Sequence, residues 1–191
     1  RLADETKVPV HAFVEDAAAS GGYWIASAAD DIHCDPASIL GSIGVIASGF
    51  GLTGAIDKLG IERRVHTAGT SKSQLDPFRP EQPEDVARLD ALLTQMHRIF
   101  IDHVQARRGA RLSADTDLFD GRYWLGAEAV RLGLADGIGH LAPVLKARYG
   151  DSLRWRVFGP RRRFLSRFGL SLAQDALAGV EETALWSRLG L

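Results

Sequence analysis

The sequence predicts an α/β domain in which a parallel sheet is joined by crossover helices. Short apolar, β-branched segments alternate with helical ones along the chain. The composition is that of a globular domain, with hydrophobic residues at 46%, charged residues at 25%, 20 glycines and 7 prolines. A length of 191 residues allows one domain with an appendage. Residues 8–14 read as a buried strand that stops at Glu15-Asp16, and residues 17–29 read as a turn running into a helix. Residues 31–34 form a short strand ended by Asp35-Pro36, residues 52–59 a helix stopped by Gly60, and residues 61–67 another strand. A polar loop over 68–80 leads into the longest helix, 81–108. Its Val86, Leu89, Leu93, Met96, Phe100 and Val104 recur at three-four spacing, and Gly109 closes it. Ser113 reads as the cap of a short helix, residues 122–124 as a strand, 127–132 as a helix closed by Gly133, and 141–149 as a further helix.

Charge separates the two ends. Residues 1–150 carry 16 basic and 20 acidic groups, residues 151–191 carry 7 and 4, and Arg161-Arg162-Arg163 sits at the centre of the basic part. We therefore read 1–150 as the body of the domain and 151–191 as an appendage. Its stretch 170–191 has an amphipathic pattern suited to packing on the body, on another subunit or on a lipid surface. A net charge of -1 makes nucleic acid a poor partner. The lone Cys34 has no partner for a disulfide, and no cluster of cysteines or helical histidine pair suggests a metal site. The uncharged stretch 37–56 is long enough to cross a bilayer, but its five glycines and four hydroxyl residues mark it as buried strand and turn. The chain starts without an initiator Met or an apolar leader and reads as cut inside a helix. An anchor is expected upstream of Arg1, if anywhere.

Ser20 falls where a turn becomes a helix, followed by Gly21-Gly22, whose missing Cβ atoms let backbone amides approach a ligand. At that position a hydroxyl is exposed and the Gly21 amide points where an oxyanion would form. A helix-capping serine explains the same pattern. A nucleophilic serine needs a base. Of the six histidines, His11 and His66 lie in predicted strands and stay open as bases. Lysine is scarce, with 19 of the 23 basic residues being Arg, and of the two only Lys can become neutral in a protein. Lys7, Lys58 and Lys146 read as solvated charges. Lys72 differs, in a loop of small hydroxyl neighbours with no acidic residue until Asp76. An exposed loop lysine is the plainer alternative.

Taken together, several motifs resemble the signal peptide peptidase A family, the S49 class of Ser–Lys proteases. They are Ala18-Ala-Ser-Gly-Gly-Tyr-Trp-Ile-Ala26, Gly41-Ser-Ile-Gly-Val45, Lys58-Leu-Gly60, Ala68-Gly-Thr-Ser-Lys-Ser73 with Pro77-Phe-Arg79, Asp120-Gly-Arg122 and Gly133-Leu-Ala-Asp-Gly137. The resemblance runs in the family's order from about residue 8 to 141. It implies a ClpP/crotonase-type fold of repeated ββα units. It also implies Ser20 as nucleophile, Lys72 as general base, Ser42 as a hydroxyl orienting the lysine, and Gly21 as one oxyanion amide, with no metal or cofactor. The implied substrates are signal-peptide-like or membrane-derived apolar peptides, handled by a homo-oligomer. The implied location is bacterial, membrane-associated or periplasmic, with a cytoplasmic face left open. Family members carry an earlier loop whose glycine amide completes the oxyanion hole, so this stretch by itself is expected to be inactive. Three other readings stand beside this one: a crotonase-like acyl-CoA enzyme, a non-catalytic scaffold in a membrane protease complex, and a Ser–His–Asp hydrolase using His33 or His66.

Overall fold

The computed structural model describes residues 5–69 and 72–158. The chain divides into two compact units, residues 1–152 and 153–191. Of the second unit only 153–158 are described, so Arg161–Arg163 and the amphipathic stretch 170–191 lie outside the described residues.

The first unit opens with two successive ββα units. β1 (His11–Val14), β2 (Ala17–Ala19) and α1 (Gly21–Ser27) are followed by β3 (Asp31–Cys34), β4 (Ile39–Gly41) and α2 (Thr53–Lys58). This is the repeated unit that the resemblance implied. Corresponding strands pair in parallel: β1 with β3, from His11–Asp31 to Val14–Cys34, and β2 with β4, from Ala17–Ile39 to Ala19–Gly41. The long helix α3 (Pro83–Arg108) comes next, then a 3-10 turn (Gly109–Arg111), β5 (Tyr123–Leu125), α4 (Gly126–Arg131), β6 (Gly137–Ile138) and α5 (Leu141–Tyr149). β6 extends the first sheet in parallel, giving the order β1-β3-β6. β5 adds to the second antiparallel, giving β2-β4-β5.

Each repeat turns from one sheet to the other within a few residues, and one buried serine ties the two corners. Ser38 Oγ shares its proton between Val14 O (2.7 Å) and Glu15 O (3.0 Å) and accepts the Asp35 N–H (3.0 Å). Between the sheets lies a core that includes Val14, Ile32, Leu40, Ile43, Leu132 and Leu134, closed by Phe100 and Val104 of α3. That helix starts with Pro83 in its first turn and acidic Glu84 and Asp85 near its N-terminus. It ends at Gly109 with φ +52°, a conformation that suits glycine. Arg108, one turn after Val104, is also buried; it donates from Nε and Nη2 to Gly133 O and pairs with Asp136 at 2.7 Å. Burying a guanidinium is tolerable here because these partners satisfy its donors.

Three local expectations are corrected. Residues 17–19 form β2 rather than a turn, because parallel pairing with β4 supplies hydrogen bonds that a run of alanines does not advertise. Residues 61–67 form no strand; they are exposed and join no β-ladder among the described residues. Ser113 caps no helix: its Oγ accepts the Asp115 N–H at 3.3 Å in a local turn. The short β6 went unread from sequence, since two residues leave no periodicity to detect.

Candidate active site

Ser20 and Ser42 occupy matching places in the two repeats. The β2–β4 register ends on Ala19–Gly41, and each serine is the next residue of its strand. Both leave the β region. Ser20 has φ 51° and ψ -119°, Ser42 has φ 51°, and neither is a glycine. Such backbone costs of order 1–3 kcal/mol and persists only where the surroundings enforce it. Here the enforcement is visible: the Ser20 N–H donates to Gly41 O at 2.8 Å, and the Ser20 carbonyl accepts the Trp24 N–H at 3.0 Å as α1 begins. The Ser42 N–H donates to Arg122 O at 2.7 Å, and the Ser42 carbonyl accepts the Gly44 N–H at 2.9 Å.

The motif glycines explain how these turns close. A Cβ on Gly44 would stand 3.0 Å from the Cα of Gly121, and one on Gly41 would stand 2.8 Å from the Trp124 ring. The Gly41–Val45 and Asp120–Arg122 motifs are therefore one packed unit under Ser42. By contrast, Cβ atoms built on Gly21 and Gly22 would meet nothing within 4 Å, so the first turn of α1 faces open space. The Gly21 N–H has no acceptor among the described residues, as expected for the first turn of a helix.

α3 props both turns from behind. His97 Nε2–H donates to Ile43 O (3.0 Å), the carbonyl next to Ser42, and His103 Nε2–H donates to Trp24 O (3.2 Å) within α1. Trp24 stacks on Phe100 and His103, and Arg107 Nη2 donates to Ala28 O (2.7 Å) at the end of α1. Two of the six histidines thus hold the candidate site together. Nothing in the sequence singles them out, because only the fold reveals which carbonyl each one meets.

Lys72 is exposed, and its backbone N–H donates to Gly69 O at 3.3 Å. No bond from its ammonium to Ser20 or Ser42 occurs among the described residues. Its loop nonetheless joins the segment that leaves Ser42, through the Leu52 N–H and Pro77 O at 2.6 Å. An open cleft of about 440 Å³ lies between them, lined by residues 47–52 on one side and by Leu75, Pro77 and Leu89 together with the charged Asp76, Arg79 and Glu81 on the other. The alternative bases are placed elsewhere. His33 is on β3 in the other sheet, stacked on Phe13, with Nε2 3.8 Å from Asp31 Oδ1 and neither ring nitrogen hydrogen-bonded among the described residues, and His66 lies in the exposed segment after α2. His11 donates from Nδ1 to Asp31 on that same sheet. No group of three metal-ligating side chains is assembled among the described residues.

A strand-to-helix serine at positive φ, beside a glycine-bounded turn, is the arrangement of an α/β domain that presents a hydroxyl at the end of a sheet. The sequence model of Peptidase family S49 matches residues 3–149, and the chain belongs to that family. It is 44% identical over 206 residues to a Na(+)/H(+) antiporter NhaA of Brucella melitensis, covering 100% of this chain and 28% of that protein. Over 147 residues it is 32% identical to an Enterococcus faecium protein named for signal peptide peptidase SppA, covering 77% of this chain and 41% of that one. It is also 32% identical to the chloroplastic serine protease SPPA of Arabidopsis thaliana, over 74% of this chain and 21% of that one. The chain thus spans well under half the length of these relatives. A solved enoyl-CoA hydratase/isomerase family protein from Hyphomonas neptunium aligns with a TM-score of 0.30 at 23% identity, over 73% of this chain and 36% of that structure.

Proposed function

We propose that this chain carries the catalytic part of a serine peptidase, with Ser20 as nucleophile, Lys72 as general base, Ser42 as the hydroxyl that orients the lysine and the Gly21 N–H as one oxyanion donor. The observation that carries this reading is the Ser20 backbone, held at φ 51° at the end of β2 with open space in front of Gly21 and Gly22. A strained turn at a strand-to-helix junction is how a fold exposes a nucleophilic hydroxyl beside backbone amides. Ser42 follows Gly41, the register partner of Ala19, and this closeness of the two strand ends supports a shared proton-transfer network.

In the reaction, a neutral Lys72 amine takes the Ser20 proton while Oγ attacks the peptide carbonyl. The developing oxyanion is stabilised by the Gly21 N–H. The lysinium then protonates the leaving amine, and water, deprotonated by the same amine, resolves the acyl-enzyme. For this the loop of Lys72 must close toward Ser20, and the Leu52–Pro77 hydrogen bond gives it a fixed pivot.

The substrates proposed are apolar, signal-peptide-like or membrane-derived peptides. Exposed Ile46, Phe50 and Leu59, and the apolar Leu52, Leu75 and Leu89 within the cleft's mixed lining, support this reading. They equally suit contact with further copies of the chain, in keeping with a homo-oligomer at a membrane. The match to the Brucella melitensis protein covers 28% of its length, and the S49 match takes in residues 3–149 of the chain.

The deciding experiment is hydrolysis of a fluorogenic apolar peptide by the complete polypeptide, its Ser20→Ala and its Lys72→Ala variants. Folded, inactive variants beside an active parent establish the dyad. Variants that match the parent place the nucleophile elsewhere, and a parent that cleaves no peptide favours the scaffold reading.

A further inference from the structure

Four residues beyond Lys72 the loop is knotted. Arg63, in the irregular segment after α2, donates from Nε (2.9 Å) and Nη2 (2.7 Å) to Asp76 Oδ2. The other carboxylate oxygen, Oδ1, accepts the Phe78 N–H at 3.0 Å, and the Phe78 ring lies 5.0 Å from the Arg63 guanidinium carbon. The Asp76 side chain is only 4% exposed. Its backbone carbonyl accepts the Arg79 N–H at 3.1 Å, and the next carbonyl, that of Pro77, accepts the Leu52 N–H from the segment that leaves Ser42.

From these contacts we propose that Arg63 and Asp76 are positioning residues for Lys72, an ion-pair latch that sets the loop against the Ser42 segment. The proposal rests on the Ser–Lys reading above. Between Gly69 (φ 99°) and Leu75 (φ 54°) the chain passes through two left-handed residues, and the described part of that turn is held by a single long backbone bond, Lys72 N–H to Gly69 O. A turn of that kind takes its direction from its anchored end. The anchored end is Asp76–Arg79, fixed by Arg63 on the Asp76 carboxylate and by the Leu52 N–H on Pro77 O, with Arg79 Nη1 reaching back to Ser73 Oγ at 3.4 Å. The planar guanidinium does two things at once: it presents two donors to one carboxylate oxygen and lies against an aromatic face. A lysine would do neither as well, which explains why a strongly charged pair sits in a segment with no regular structure. Asp76 is also the first acidic residue after Lys72; engaging it with Arg63 keeps that carboxylate from drawing the lysine ammonium into an ion pair of its own.

The test uses the complete polypeptide and two readouts, steady-state hydrolysis of a fluorogenic apolar peptide and the rate at which a fluorophosphonate probe labels Ser20. Arg63→Ala should lower kcat roughly 100-fold, the scale of a misplacement of about 1 Å, with KM within about twofold. The double variant Arg63→Asp/Asp76→Arg should recover most of that loss. In a Lys72→Ala background, where labelling is already slow, Arg63→Ala should slow it no further, because the latch acts only through the lysine. Loss by the same factor in both backgrounds, or an unchanged kcat in Arg63→Ala, overturns the latch. Should Arg63→Ala fail to fold, Arg63→Lys carries the same comparison with an expected loss of roughly tenfold. A Lys72→Ala protein that turns over normally would instead overturn the Ser–Lys reading, whatever Arg63 does.

Discussion

Ser20 and Ser42 stand one residue beyond the Ala19–Gly41 pair of a parallel sheet, each with φ 51°. The repeat that builds the fold therefore brings two hydroxyls to one sheet end, in the same strained conformation. The expected strain is testable at the first of them. Ser20→Gly should raise stability by about 1 kcal/mol, since glycine adopts this φ freely, while removing peptide hydrolysis altogether. Ser20→Ala should also be inactive but should keep the strain. Urea unfolding of the three proteins checks the order.

Ser42→Ala removes the hydroxyl without changing the backbone demand at that position. Losing a hydrogen bond to a charged group of about 2 kcal/mol should cut kcat roughly 30-fold. Stability should stay within about 0.5 kcal/mol, because Ser42 is held by its N–H and carbonyl rather than by Oγ. A loss of turnover in step with a loss of stability would make Ser42 structural only.

His97 tests the support from α3. Its Nε2–H donates to Ile43 O in the Ser42 turn, so His97→Phe should fill most of the space while leaving Ile43 O without that donor. We expect a loss of about 1 kcal/mol in stability and a larger proportional loss in kcat. His97→Gln, which can still donate, should recover part of both.

The Asp136 cluster sets an acid limit on stability. Burial pushes the Asp136 carboxyl up, but hydrogen bonds from Arg108 and the Ile32 N–H, with the charges of Arg108 and Arg111, outweigh it and hold the group below its ordinary value. A carboxylate depressed in the folded state contributes stability that is fully present above its unfolded pKa of about 3.9 and is lost as pH falls through the lower folded value. The urea midpoint should therefore fall as pH is lowered below about 4, and Asp136→Asn should flatten that fall while lowering stability at neutral pH. Arg108→Ala, which leaves the cluster without its buried cation, should cost about 3–5 kcal/mol.

Two glycines should respond very differently to Ala. Gly133 has φ 77° and a Cβ there would lie 1.7 Å from Arg111 O, so Gly133→Ala should cost about 3 kcal/mol or more. Gly60 has φ 65° with nothing within 4 Å of the added atom, and Gly60→Ala should cost only about 1 kcal/mol, from backbone strain. Thermal unfolding of the pair separates packing from conformation.

The elements that rest on local signals were legible from sequence. The 31–34 strand and the 141–149 helix agree with β3 and α5, and Gly109 and Gly133 end their helices as expected, each at positive φ. Such signals survive because capping and backbone conformation are decided within a few residues. Residues 61–67 misled for the opposite reason: the β-branched Ile61, Val65 and Thr67 favour a strand, but a strand exists only if another edge accepts its hydrogen bonds. Ala17–Ala19 is the mirror case, without strand character of its own and made a strand by β4.

The residues themselves determined the alternation that makes the domain α/β and the family it belongs to through motifs spread over more than a hundred positions, and those motifs are what single out Ser20, Ser42 and Lys72 as the proposed catalytic groups. Only the tertiary structure decided that Ser20 and Ser42 are adjacent, that His97 and His103 brace their turns, and that Arg63 seizes Asp76. Those relationships join residues 13 to 79 positions apart, and spacing along a chain does not encode distance in space. Which donor reaches which carbonyl is fixed when strands pair and a helix packs across them, and there a shift of one residue in register would face every side chain the other way.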